Sequence, residues 1–223
     1  MEIDSVLSDL MVKAYTHQKQ GELSLAIQSW NALANYKSSD HELRANAHLN
    51  LGNLHLQQGN NDIAYEFMAK AISANPNSAE AFYCLAYMEQ EKENFVEAIK
   101  FFESALKLNS NDAGAFNNLA NCYVSLNKTH KTIKNYTQAI SIDSKYIAAY
   151  YNRGNAYTKI AENKLALKDL TKAIELDKKF YQAYYNCGSV YNRLGKNRLA
   201  EKDLEKAKAL AKAEIEETTK QRD

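Results

Sequence analysis

The chain has 223 residues, 45% of them hydrophobic, and a formal net charge of +1. That near-neutral balance argues against general attraction to nucleic acid or membrane surfaces. No apolar run approaches the roughly 18 residues that a membrane span needs, so no membrane insertion is expected.

The start, MEIDSVLSDL, is acidic and lacks a basic segment followed by an apolar core. It does not read as a signal peptide, and residues 1–6 are expected to be a flexible leader. Residues 7–44 read as a divergent first helix hairpin and linker. Leu10, Ala14 and His17 share one helical face, Gly21 marks the turn, and Ala26 with Trp30 sits on the second helix. The linker from Lys37 to Arg44 is about four residues longer than the later ones, which suggests a first hairpin set at a different angle and weakly coupled to the rest.

From Ala45 a unit recurs, with starts at Ala45, Ala79, Ala113, Ile147 and Tyr181, each 34 residues apart. In the fourth unit Tyr150, Gly154 and Tyr157 lie four and three residues apart, on one face of a helix. Ala166, Leu170, Ala173 and Ile174 make a second stripe at the same spacing, and the pattern breaks between them near Ala161–Asn163. Each unit is therefore two short amphipathic helices folded as a hairpin. Gly154 and Ala166 are small where bulk would hold the helices apart.

The other units repeat the design as His48-x2-Leu51-Gly52-x2-His55, Phe82-x2-Leu85-Ala86-x2-Glu89, Phe116-x2-Leu119-Ala120-x2-Tyr123 and Tyr184-x2-Cys187-Gly188-x2-Tyr191. On the second helix Ala64, Ala98, Thr132, Ala166 and Ala200 are followed four residues later by Met68, Phe102, Tyr136, Leu170 and Leu204. On these motifs the chain resembles the tetratricopeptide repeat family. The family's closing proline survives only at Pro76; Ser110, Ser144 and Lys178 replace it elsewhere. The resemblance implies an all-α, right-handed α-solenoid of antiparallel helix pairs, with five clear 34-residue repeats over 45–214 and one divergent N-terminal repeat. The whole is expected to be one solenoid domain ending in a 215–223 tail.

Between repeats stand Asn75-Pro76-Asn77-Ser78, Asn109-Ser110-Asn111-Asp112, Asp143-Ser144-Lys145 and Asp177-Lys178-Lys179. Asn, Asp and Ser stop one helix and cap the next through their side chains. Gly59 and Gly195 suit a positive φ inside a hairpin. In the last repeat Glu201 and Lys208 replace apolar residues of the inner repeats, so a polar end face is expected, with the helix running on toward Ile215.

No catalytic set is visible, and the chain reads as a non-enzyme without metal or cofactor. His48 and His55 are the best metal candidates. Seven residues on one helix place them about 10 Å apart, and both occupy packing positions that suit structural histidines. Glu89, Glu91 and Glu93 read as a solvated face. Cys84, Cys122 and Cys187 form no CxxC and fall in different repeats, so a reducing, cytoplasmic setting fits.

Asparagine is the informative residue. Asn50, Asn118, Asn152 and Asn186 fall at the sixth position of successive first helices, with Cys84 interrupting; Asn53, Asn121 and Asn155 fall at the ninth. The resemblance implies that both positions line a concave groove. An Asn side chain both donates and accepts, so a row of them can hold a peptide backbone with little regard to its sequence. The row is similar to the asparagine ladder in the repeat superhelix of O-linked N-acetylglucosamine transferases; the plain alternative is that Asn is the family's common residue there. Tyr83, Tyr151 and Tyr185 at the fifth position add amphipathic rings to the same groove.

The resemblance also permits a specific exclusion. Family members that clamp the Glu-Glu-Val-Asp tails of heat-shock chaperones need basic residues at two first-helix sites. Here those sites hold Glu80 and Cys84, Gly114 and Asn118, Ala148 and Asn152, or Gln182 and Asn186, none of them basic. That route is absent.

The reading is a protein–protein interaction scaffold or adaptor that takes an extended segment or helix of a partner in its groove, or a chaperone for one substrate protein. Five helix pairs about 10 Å apart span roughly 50 Å, enough for about 15 extended residues. RNA binding, as in pentatricopeptide repeats, is the rival from another class. The period of 34 and a groove poor in Lys and Arg argue against nucleic acid. Charge is uneven: Met1–Asn127 carries 8 Lys+Arg against 15 Asp+Glu, or −7, and Lys128–Asp223 carries 20 against 12, or +8. That is either solvated outer faces or a dipole that orients partners or favours head-to-tail self-association.

Overall fold

A computed structural model describes residues 5–37 and 40–220. Among these residues there are twelve helices and no strand: α1 (Ser5–Lys19), α2 (Leu23–Ala34), α3 (His41–Gln57), α4 (Asn61–Ala74), α5 (Ala79–Glu91), α6 (Phe95–Leu108), α7 (Ala113–Ser125), α8 (Thr129–Ile142), α9 (Ile147–Lys159), α10 (Asn163–Leu176), α11 (Tyr181–Arg193) and α12 (Asn197–Lys220). Consecutive helices pair as hairpins, the α-solenoid design read from the repeats. The chain divides between Ser110 and Asn111 into two compact units, α1–α6 and α7–α12.

Small residues bring the helices of a hairpin together. A Cβ placed on Gly154 would meet Leu170 Cγ at 2.9 Å, and one on Gly188 would meet Leu204 Cγ at 2.7 Å. The facing Ala166, Ala173 and Ala200 are buried. In the second unit Ala166, Leu170, Cys187 and Val190 form one apolar cluster, so the α9–α10 hairpin is sealed by α11 of the next one. Burying a side chain such as Leu170 contributes roughly 2 kcal/mol.

The first unit departs from the weakly coupled hairpin expected from the long linker. Trp30 is 1% exposed and clusters with Ala14 and Leu33 of its own hairpin and with Leu51 and Leu54 of α3. Its Nε1 donates to Gln18 Oε1 at 2.9 Å, and Tyr15 meets its ring edge-on, with centroids 4.9 Å apart. The first and second hairpins thus share one core. The reason lies in α3, which begins at His41, four residues ahead of the expected Ala45. Asp40 caps it, accepting from the Glu42 and Leu43 amides at 2.9 and 3.2 Å. Ser38 and Ser39 of the linker lie outside the described residues.

The chain ends differ from the sequence boundaries too. Helix α1 begins at Ser5, inside the expected leader, and residues 1–4 lie outside the described residues. Helix α12 continues to Lys220, through most of the expected tail; residues 221–223 are not described. Its last turns have no Gly or Pro and carry a Lys212–Glu216 pair four residues apart, at 3.8 Å, which favours helix. Glu201 and Lys208 are exposed, as the polar end face requires.

The turns between repeats follow two patterns. Ser78 and Asp112 cap the next helix, accepting from Ala81 N and Ala115 N. Asp143 and Asp177 instead accept from the amides two residues on, Lys145 and Lys179, both at 2.8 Å. There the N-cap positions are Tyr146 and Phe180, which have no side-chain cap. The aspartates fix the turn, not the helix start.

Candidate functional site

Within the second unit the first helices of successive hairpins touch, α7 against α9 and α9 against α11. That brings the predicted Asn and Tyr positions of this unit onto one surface. Two pockets open on it. One, of about 430 Å³, is lined by Asn121, Asn152 and Asn155 together with Lys128, Thr132 and Lys159. The other, of about 390 Å³, is lined by Tyr151, Tyr185 and Asn186 together with Leu204, Ala207 and Lys208 of α12.

The asparagines are held by one another and by tyrosines. Asn186 Nδ2 donates to Asn155 Oδ1 at 2.7 Å and to Tyr151 Oη at 3.2 Å. Tyr136 Oη donates to Asn121 Oδ1 at 2.5 Å. Asn152 Nδ2 reaches Asn117 Oδ1 at 3.5 Å, and Asn117 in turn donates to Asn118 Oδ1 at 3.3 Å. Bonds inside the protein therefore already use part of the hydrogen-bonding capacity of each asparagine. Asn121 and Asn155 keep amide donors for a ligand, and Asn186 keeps its carbonyl. Tyr185 is 58% exposed, whereas Tyr151 lies against Phe180, centroids 4.8 Å apart.

The remaining predicted positions lie in the first unit and are engaged there. Asn50 Nδ2 donates to Asn46 O in its own helix at 2.9 Å. Asn53 donates to Glu80 Oε1 at 3.3 Å and accepts from Cys84 Sγ at 3.8 Å. Tyr83 meets Phe102 edge-on, centroids 5.7 Å apart.

Other candidates resolve as structure. His55 stacks on Phe67 at 5.5 Å between centroids, and His48 lies 5.9 Å from the same ring. Burial, with Lys70 and Arg44 nearby, holds the His48 pKa below its usual value. Among the described residues no group of three His, Cys, Asp or Glu side chains is placed to hold a metal ion. Glu91 and Glu93 are exposed, but Glu89 is 7% exposed and accepts from Asn94 Nδ2 at 2.8 Å, so it is not part of a solvated face. Burial raises the thiol pKa of Cys84 and Cys122 to about 11 and of Cys187 to about 12, which leaves them poor nucleophiles.

Two features escaped the sequence reading. One is a buried ion pair, Arg153–Asp169, at positions that hold Leu85 and Phe101 in another repeat. A signal existed: the fourth repeat has Arg where its relatives have an apolar residue. The other is Thr132. Its Oγ1 is buried without a hydrogen-bond partner, at the place of Ala64, Ala98, Ala166 and Ala200.

The chain belongs to the tetratricopeptide repeat family. Family profiles described as tetratricopeptide repeat match residues 11–79, 49–115, 147–180 and 181–214, and one described as TPR repeat matches 120–160. No curated protein matches the sequence. Among solved structures the chain is similar to MamA, with 23% identity over 74% of this chain and 97% of that one, at a TM-score of 0.71. It is also similar to YrrB, described as a TPR protein with an unusual peptide-binding site, with 23% identity over 74% and 86% at a TM-score of 0.68. A tetratricopeptide repeat protein of Parabacteroides merdae gives 18% identity over 92% and 80% at a TM-score of 0.74. These likenesses establish the shared fold.

Proposed function

We propose that the protein is an interaction scaffold that holds an extended segment of a partner protein along α7, α9 and α11. The hydrogen bond from Asn186 to Asn155 carries this reading, because it joins the linings of the two pockets. Amide donors, an amide carbonyl and tyrosine rings then follow one another along a single surface. Such a row suits a peptide backbone, whose N–H and C=O alternate. The three cysteines form no disulfide, which supports a cytoplasmic setting.

The test is to pan a random 12-residue peptide display library on the full chain and measure the selected peptides by calorimetry. Replacing Asn152, Asn155 and Asn186 together by Ala removes about three hydrogen bonds of roughly 0.5–1.5 kcal/mol each. Affinity should fall roughly 10- to 1000-fold. Lys172→Ala is the control. That ammonium sits in an exposed pair with Glu175 at 3.2 Å, so its loss should change affinity less than about threefold. Failure to select any peptide, or equal affinity in the triple variant, rules the reading out.

A further inference from the structure

The first and last helices carry charges of opposite sign at positions that meet between inner repeats. Leu167 and Ile174 of α10 share a cluster with Cys187 and Val190 of α11. Only residues 177–180 join these two helices, so they run antiparallel. Ile174 is therefore level with the start of α11, where Ala183 is buried, and Leu167 is level with Cys187 further along. Helix α12 has no successor among the described residues, and Glu201 and Lys208 stand at the places of Leu167 and Ile174. Helix α1 has no predecessor there. With the hairpin turn at Gly21 set on that at Gly195, Asp9 and Lys13 stand at the places of Ala183 and Cys187. All four charged side chains are exposed, and none makes an ion pair among the described residues. An end face that only meets water has to be polar, but it needs no particular order of signs.

We propose that a second copy of this chain docks its α1 against α11 and α12, in the place that the first helix of a following repeat would take. Lys208 then lies beside Asp9 of the second copy, and Glu201 beside its Lys13. Both contacts join opposite charges. An apolar seam matches as well. Within one chain the Tyr151 ring lies against Phe180, and its hydroxyl accepts from Asn186. One repeat on, Tyr185 takes the place of Tyr151, and its ring is exposed. Val6 and Val12 of α1 stand at the places of Phe180 and Asn186 and are exposed too. In the docked pair they cover Tyr185. The acidic residues 1–127 of one copy approach the basic residues 128–223 of the other, which favours this order of ends. The contact is heterologous, so each copy keeps a free end and further copies can add. The seat includes Tyr185 and Lys208 of the second pocket and no residue that lines the first.

The experiment is sedimentation velocity of the full chain over a wide range of concentration, at low and high salt. The mean sedimentation coefficient should rise with concentration without a plateau at the dimer, and should fall back at high salt. The variants D9K/K13E and E201K/K208E each set like charges against one another. Each should weaken association at least about fivefold, as expected when two exposed pairs are reversed. Mixed together, the two variants should associate again, because the altered α1 of one then meets the altered α12 of the other. A chain with all four changes should recover native association by itself. Val12→Asp, which sets a charge against Tyr185, should weaken association as well. Circular dichroism of every variant should match that of the native chain, since the changed residues are exposed. A chain that stays monomeric at all concentrations overturns the proposal. So does association that the reversals leave unchanged, or that neither the mixture nor the chain with all four changes recovers. A plateau at the dimer overturns head-to-tail docking in favour of a closed pair.

Discussion

Arg153 and Asp169 form a two-pronged ion pair across one hairpin: Nε donates to Oδ2 at 2.6 Å and Nη2 to Oδ1 at 2.8 Å. Asp169 is 3% exposed, and Nη1 of the same arginine reaches Thr137 Oγ1 on α8 at 2.9 Å. The pair ties three helices together where the first unit uses Leu51 with Phe67 and Leu85 with Phe101. Breaking it with Arg153→Leu leaves a buried carboxylate alone and should cost about 3–5 kcal/mol. The double change R153L/D169F restores the apolar pair of the first two 34-residue repeats and should be neutral to about 4 kcal/mol stabilising. Urea unfolding of both variants decides this; a double variant as weak as the single would mean that the pair is a net source of stability.

One repeat later the acid remains but the base is gone. Asp203 takes the place of Asp169, and Cys187 takes that of Arg153. Burial raises the Asp203 carboxyl above its usual pKa, and Lys202 only partly opposes this. A carboxyl raised on folding favours the folded state below its unfolded pKa and loses that contribution as pH rises through the folded value. Asp203 therefore weighs against the last hairpin at neutral pH. Asp203→Asn should raise the unfolding midpoint at pH 7, and the gain should vanish below about pH 4. A gain independent of pH would point to packing instead of charge.

The turn inside each hairpin needs one left-handed residue. Gly21, Gly59 and Gly195 supply it with φ of 70–75°, but Glu93, Asn127 and Ala161 adopt it at 60°, 54° and 61°. A side chain there costs about 1–2 kcal/mol, less for Asn. Ala161→Gly and Glu93→Gly should each stabilise by about 0.5–1 kcal/mol after the entropy of glycine is counted, and Asn127→Gly by less. In the reverse direction Gly59→Ala and Gly195→Ala should destabilise by roughly 1 kcal/mol. No atom lies within 4 Å of the added carbon, so backbone strain accounts for the whole change. Guanidinium unfolding checks this; an Ala161→Gly variant no more stable than the native chain would remove the strain argument.

The hairpins were legible because a 34-residue period and a small residue at each helix crossing constrain the fold at every repeat. The close helix crossing at Gly154 and Ala166 could be read from spacing alone. The polar site was only partly legible. Spacing placed the asparagines on one face, but it could not show that the Asn186 amide group already donates to Asn155 and Tyr151, which depends on rotamers. The Lys128–Lys159–Thr132 pocket was not visible because it is built from two repeats and a turn. No single-repeat motif encodes it. Glu89 misled because three alternating glutamates look solvated, yet it stands at the repeat position of Tyr123 and Tyr157 and is buried.

A long linker suggested that Trp30 would report an independently melting hairpin, but Trp30 shares its cluster with Leu51 and Leu54 across α2 and α3. Its fluorescence should therefore follow the unfolding of the second hairpin as well as its own. Leu54→Ala is the discriminating change, since Leu54 is fully buried and lies on α3, outside the tryptophan's hairpin. Emptying that position should cost about 2–5 kcal/mol and move the fluorescence transition to lower denaturant by the corresponding amount. Repeats coupled only through neighbours transmit such a loss across a shared interface. If the Trp30 transition stays in place while the helical signal of the unit shifts, the first hairpin is stable by itself and the shared core contributes little to it.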